Sequence, residues 1–104
     1  MKRVAFKMQL HRGQEEEYKR RHDALWPELK QALAEAGIVD YSIFLDEETN
    51  TLVGVLKVEE SGQLDNLPEH PVMKRWWSYM KDIMDTHPDN SPVTKPLKEV
   101  FYLP

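Results

Sequence analysis

Residues 15–33 read EEEYKRRHDALWPELKQAL, and two readings of one helix meet in them. Glu15, Glu16 and Glu17 each stand four residues before Lys19, Arg20 and Arg21. That is the favourable order for acid-to-base helix pairs, worth about 0.2–0.5 kcal/mol each. The three pairs are expected to form a solvated face. The remaining stripe, Tyr18, His22, Leu25/Trp26, Leu29 and Leu33, recurs every three or four residues and is expected to face inward. An ordinary core stripe is aliphatic throughout, whereas this one begins with a phenol and an imidazole. Pro27 then interrupts it. A proline lacks the amide hydrogen and crowds the carbonyl four residues back, here Asp23, so a kink or helix restart is expected between His22 and Trp26.

Outward from this helix, alternation takes over. Val4, Phe6, Met8 and Leu10 alternate with Ala5, Lys7 and Gln9, the period of a half-buried strand. Gly37 follows the helix as a left-handed cap. Val39 to Leu45 and Thr51 to Val58 read as two strands joined by the polar turn Asp46 to Asn50, and so short a connection makes them an antiparallel hairpin. Glu59 to Pro71 reads as a short helical turn and a break. Val72, Met73, Trp76, Trp77, Met80, Ile83 and Met84 have helical spacing. Residues 85–96, DTHPDNSPVTKP, read as an extended loop, and Val100 to Leu103 as a closing strand. The order βαββαβ, with right-handed crossovers, predicts a ferredoxin-like α+β fold in one domain, residues 1–104. It has a four-stranded antiparallel sheet with two main helices on one face. Phe44, Val53 and Val55 fall on the other face, and a second copy packed sheet on sheet is the simplest cover, so a homodimer is expected.

Composition narrows the function. A chain of 104 residues with 40% hydrophobic and 31% charged residues is an ordinary globular domain. Its net charge of −4 offers no field for phosphate backbones, so nucleic acid is not an expected partner. The absence of cysteine excludes disulfides, thiolate nucleophiles and cysteine-ligated metals. No apolar run approaches the roughly 18 residues a membrane span needs, and MKRVAFKMQL lacks a signal-peptide core, which makes the cytoplasm the expected compartment.

The candidates for chemistry are few. His22 titrates near neutrality, so it can give and take protons there, although a stripe histidine is ordinarily structural. Trp76 and Trp77 point about 100° apart on a helix, so one can pack while the other walls a cavity and stacks on the C–H face of a sugar. Tyr18, Tyr41, Trp26 and Tyr79 are aromatic residues with a polar handle, for which core packing is the default. His11, His70 and His87 lie in turns and loops, and no histidine pair has metal-ligand spacing, so no metal site is expected. The four glycines are scattered, without a phosphate loop or a nucleophile elbow. The residues alone describe an aromatic cavity with one imidazole, suited to proton transfer on a neutral polar ligand that they do not name.

The segments YKRRHDALWPEL, YSIFLDEETNTLVGVL, RWWSYM and HPDNSPV, with the ending EVFYLP, together resemble the L-rhamnose mutarotase family over essentially the whole chain. The resemblance implies a dimeric α/β barrel that interconverts the α and β anomers of L-rhamnose without a cofactor. It implies His22 as the proton donor and Tyr18, Tyr41, Trp76 and Trp77 as sugar-binding positions. Two other readings stand beside it: a haem-binding or small-molecule monooxygenase of the same dimeric ferredoxin-like class, and a non-catalytic sugar-binding module.

Overall fold

Alternation does set the sheet. In the computed structural model, which describes residues 1–104, the chain runs β1 (Lys2–Gln9), α1 (Glu15–Asp23), α2 (Pro27–Glu35), β2 (Ile38–Asp46), β3 (Thr51–Val58), a 3-10 turn (Leu64–Glu69), α3 (Pro71–Met80) and β4 (Lys95–Leu97). The strands form one antiparallel sheet in the order β2-β3-β1-β4, the ferredoxin-like α+β arrangement. Helices cover one face. The side chains that face them include Met8 and Leu52, which join Leu29, Val72, Trp76 and Met80 in one core cluster, and the buried Leu56 and Val58. The opposite face leaves Phe44, Val55 and Leu97 exposed.

One glycine shapes the helix-covered face. Gly54 pairs with Phe6 on one side and Ile43 on the other. A Cβ there would stand 2.6 Å from the Phe6 ring. The bare backbone of Gly54 therefore lets Phe6 lie flat across β3 and meet Tyr41 edge-on, with ring centroids 6.3 Å apart.

Pro27 breaks the first helix where its chemistry requires. The residue before a proline is pushed out of the helical region, and Trp26 sits at φ −62°, ψ 132°. Pro27 then opens α2 at a position where the missing amide hydrogen costs nothing. Gly37, at φ +93°, ends α2 as expected, its N–H donating to the Ala34 carbonyl at 3.0 Å.

The charged face of α1 differs from the expectation. Only one of the three expected pairs forms, Glu17 with Arg21 at 2.7 Å. Lys19 instead bonds Asp23 and Arg20 bonds Glu17, while Glu15 and Glu16 remain solvated. Arg21 is not a solvated residue: it is 8% exposed. Its guanidinium donates to Glu17, to the Tyr79 carbonyl at 2.7 Å and to Asp82 at 2.9 Å, and lies 4.4 Å over the Tyr79 ring. A long-range clasp between α1 and the end of α3 has taken this side chain out of water.

Two C-terminal boundaries also shift. The α3 helix ends at Met80 rather than Met84, because the backbone at Met84 bridges Leu10 and the Ile83 carbonyl accepts the His11 N–H at 2.9 Å. Ile83 and Met84 stay buried. The last strand is Lys95–Leu97, not Val100 to Leu103. With Leu97 opposite Ala5, a continuation would reach Lys2, the start of β1, at residue 100 and run off it beyond. The tail instead lies exposed, held by an Arg3–Glu99 ion pair and by the Arg3 guanidinium over the Tyr102 ring.

Two outcomes test these packing arguments. Gly54→Ala should lower unfolding stability in urea by about 1–3 kcal/mol, the usual cost of forcing a methyl into a filled site. The second concerns acid. Hydrogen bonds from Arg20 and then Arg21 hold the Glu17 carboxyl at about 2, against an ordinary 4.5, and Arg21 likewise lowers Asp82. Both folded-state values are depressed, so these contacts stabilise the fold fully above the ordinary carboxylate range, and that contribution is lost as pH falls from 4.5 through about 2. Arg21→Met should flatten the urea midpoint across that window and lower it at neutral pH.

Candidate active site

Three elements converge on one space. Successive turns of α1 aim Tyr18 and His22 inward, β2 supplies Tyr41, and α3 supplies Trp76 and Trp77. All five line a cavity of about 300 Å³ between the sheet and the helices. A neighbouring void of about 560 Å³ shares Tyr18, His22, Tyr41 and Trp76 but not Trp77, and opens toward Glu15, Lys19 and Asp23. The smaller cavity is the candidate site because it alone holds the whole set. Of its 22 lining residues 16 are hydrophobic, and none is Asp, Glu, Lys or Arg. A charged ligand would be desolvated there without a counter-charge, so the cavity suits a neutral one.

The imidazole of His22 is held in one tautomer. Its Nδ1 lies 2.9 Å from the Tyr18 carbonyl oxygen, which only accepts, so Nδ1 carries the hydrogen and Nε2 keeps its lone pair. The ring stacks on Tyr18 at 4.2 Å and 28°, and meets Trp76 edge-on at 5.3 Å. Burial lowers its pKa below the ordinary 6.5, against smaller upward pulls from the Tyr18 carbonyl and Asp23. His22 at neutral pH is therefore uncharged, with a basic nitrogen available. Desolvation pushes the Tyr41 hydroxyl up to about 12 and the buried Tyr18 hydroxyl higher still, so both remain protonated hydrogen-bond donors.

The tryptophans divide their work as helix geometry predicts. Trp76 is 6% exposed, while Trp77 is half-buried on the cavity wall. Behind Trp76 stands a second aromatic layer. Trp26, freed from the helix by Pro27, meets Trp76 edge-on at 5.1 Å and stacks on Tyr79 at 5.5 Å. Tyr79 in turn carries the Arg21 guanidinium. A continuous series of contacts therefore runs from the Arg21 clasp through Tyr79 and Trp76 to His22.

The remaining histidines stay outside the cavity. His11 pairs with Asp85 at 3.0 Å, His70 caps α3 by accepting the Val72 N–H at 3.2 Å, and His87 is exposed. Three lining residues, Thr86, Asn90 and Thr94, were not legible as site residues. They come from the loop before β4, and their only signal in the sequence is uncharged polarity inside a proline-rich stretch.

Comparison with known proteins places the chain in a family. The profile of the L-rhamnose mutarotase family matches residues 3–103. The L-rhamnose mutarotase of Sinorhizobium fredii is 58% identical over 103 residues, 99% of each chain. The crystal structure of an L-rhamnose mutarotase from Formosa agariphila superposes with a TM-score of 0.91 at 56% identity, covering 100% of both chains. A dimeric ferredoxin-like protein from an uncultured marine organism shares the fold alone, with a TM-score of 0.57 at 13% identity over 97% of this chain and 91% of its own. No helix is long and apolar enough to cross a membrane. With a profile spanning nearly its whole length and full-length relatives more than half identical to it, this chain belongs to the L-rhamnose mutarotase family of isomerases.

Proposed function

We propose that the protein interconverts the α and β anomers of L-rhamnose, with His22 moving the proton and Tyr18, Tyr41, Trp76 and Trp77 holding the sugar. The observation that carries this reading is the neutral His22, its Nε2 free, in a cavity without charged side chains. Mutarotation needs one proton removed from the anomeric hydroxyl and one placed on the ring oxygen. Nε2 accepts the hydroxyl proton, and the imidazolium so formed delivers it to the ring oxygen as the C1–O5 bond breaks. Rotation about C1–C2 presents the other face of the aldehyde, and the reverse transfers close the ring. The proton donor of the family resemblance is here the second half of a shuttle. The phenols of Tyr18 and Tyr41 donate to sugar oxygens, and the indole faces of Trp76 and Trp77 take the C–H face of the ring. No redox step or activated phosphate enters, so the reaction itself calls for no cofactor.

We propose further that the working unit is a homodimer. Phe44 (62% exposed), Val55 and Leu97 on the open sheet face, with Val100, Phe101 and Leu103 of the tail, leave an apolar surface of the kind a second copy covers.

Three measurements test these readings. NMR saturation transfer between the anomeric protons of L-rhamnose should show faster exchange with the protein present. His22→Ala should reduce that acceleration by about 10²–10⁴-fold, the usual worth of a positioned general acid–base; full activity in a folded variant would move the proton transfer to another group such as Tyr18. The pH profile decides direction: since the neutral imidazole starts the reaction, kcat/KM should rise with pH through a value below 6.5 and then level. A fall with rising pH over that range would make the imidazolium the starting form. Light scattering should report twice the chain mass of 12.3 kDa, and Phe44→Lys should shift the population toward 12.3 kDa.

A further inference from the structure

The loop between α3 and β4 supplies the cavity with side chains that the proton chemistry does not use. One end is fixed to the sheet, where the Asp85 N–H donates to the Gln9 carbonyl at 3.0 Å, and the two ends are tied together by the Val93 N–H to Asp85 carbonyl bond at 3.1 Å. Between them Thr86 bridges Pro92, and a tight turn closes through the His87 N–H to Ser91 carbonyl bond and the Asn90 N–H to His87 carbonyl bond, both 2.8 Å. Asn90 sits in this turn at φ +73°, a left-handed conformation that asparagine tolerates better than most residues and glycine best. The turn is held by backbone bonds and by the Asp89 carboxylate, which accepts the Ser91 N–H at 3.0 Å. The Asn90 carboxamide and the Thr86 and Thr94 hydroxyls bond nothing within the chain, and all three line the cavity.

The placement of these groups gives the cavity two unlike ends. The loop is tied to the last residues of β1, near Met8 and Gln9. The 3-10 turn, which contributes Leu64, Leu67 and Pro68, follows β3 at the end of the sheet where Val58 pairs with Lys2. Val4 and Met8, both lining the cavity, are four residues apart on β1, or about 13 Å at a strand rise of ~3.3 Å per residue. One end is thus aliphatic and the other offers a carboxamide and two hydroxyls.

A 6-deoxy pyranose has the same polarity. Its C5 methyl lies across the ring from C2, so a methyl seated among Leu64, Leu67 and Pro68 turns the 2- and 3-hydroxyls toward the loop. We propose that Asn90 is a sugar-binding and specificity-determining residue, whose carboxamide hydrogen-bonds the 2- and 3-hydroxyl edge of the bound 6-deoxy sugar beside Thr86 and Thr94. An amide both donates and accepts, so it can bind two adjacent hydroxyls at once and can read the configuration at C2. The inference rests on the L-rhamnose reading above and adds a residue and an orientation to it.

Asn90→Gly tests this, because glycine keeps the φ of +73° and removes only the side chain. Binding of L-rhamnose, 2-deoxy-L-rhamnose and 3-deoxy-L-rhamnose is measured by calorimetry for wild type and variant, alongside anomer exchange on L-rhamnose. The variant should bind L-rhamnose about tenfold more weakly, a loss of about one well-made hydrogen bond, with KM rising and kcat nearly unchanged. Wild type should bind at least one deoxy sugar correspondingly weakly, and the variant should lose that discrimination. A merely structural role for Asn90 would weaken all three sugars alike. Unaltered binding in the variant, or discrimination equal to wild type, overturns the proposal. If Asn90→Gly fails to fold, Asn90→Asp, which also tolerates the turn but replaces the NH₂ donor with a carboxylate, replaces it in the same comparison. Wild-type protein that binds L-rhamnose without accelerating exchange defeats the isomerase reading while the binding comparison still judges Asn90. Wild-type protein that binds none of the sugars defeats both.

Discussion

The structure depends on the break at Pro27. An uninterrupted helix from Glu15 to Glu35 would hold Tyr18, His22, Trp26 and Leu29 on one straight stripe, all packed against the sheet. The proline denies Trp26 a helical conformation, so α1 and α2 take separate courses and the Trp26 ring is released toward α3. Leu29 and Ala32 of α2 then fill the core, while Tyr18 and His22 of α1 stand over open space. A helix cut free in this way needs a new attachment, and Arg21 supplies it. Its bonds to the Tyr79 carbonyl and Asp82 fix α1 against the end of α3 on the side away from the cavity. The separation between the imidazole and the indole wall is thus set by a proline and a guanidinium, neither of which touches the cavity.

The same constraint explains why the cavity remains open. Space between a helix and a sheet normally closes on aliphatic side chains, because an empty volume forfeits dispersion contacts. Here several of the flanking residues are planar and braced by other rings or by bare backbone. Phe6 lies flat over Gly54, Trp76 is supported by Trp26 and Tyr79, and His22 rests on Tyr18. A ring braced in this way is less free to swing into the void than a leucine would be. Rigidity is also what proton transfer asks for, since a donor misplaced by an ångström loses much of its advantage.

Much of this was legible in the sequence, for physical reasons that differ between residues. The alternation in β1 to β3 is local and strong, so the sheet and its two unlike faces followed directly. Tyr18 and His22 stood out because polar rings on an inward stripe conflict with ordinary packing. The closing strand was misplaced because Val100 to Leu103 has the better β composition, whereas Lys95–Leu97 is chosen by register against β1, and an edge position tolerates Pro96. Arg21 read as a surface charge because its decisive partner, Asp82, lies 61 residues away. Asn90 was illegible for the same reason, since a turn residue becomes a lining residue only once Asp85 is tied to Gln9. Local periodicity reports on faces, and these residues act across elements.

The absence of charged groups from the lining fits the reaction better than an acidic site would. Anomer exchange moves one proton between two oxygens on the same carbon and leaves the sugar as neutral as it began. A carboxylate base in this cavity would be desolvated before the reaction and would face no cation, which would raise its pKa and leave it protonated. A neutral imidazole carries no such penalty at rest. On the proposed route it would acquire charge only while the sugar oxygen carries the opposite charge, and among apolar walls that transient pair would attract more strongly than in solvent. The tautomer is fixed beforehand by the Tyr18 carbonyl, one turn earlier on the same helix, so the proposed transfer would need no reorganisation of the ring. An imidazole that is uncharged and oriented before substrate enters is thus the form in which apolar walls would assist the proposed proton transfer.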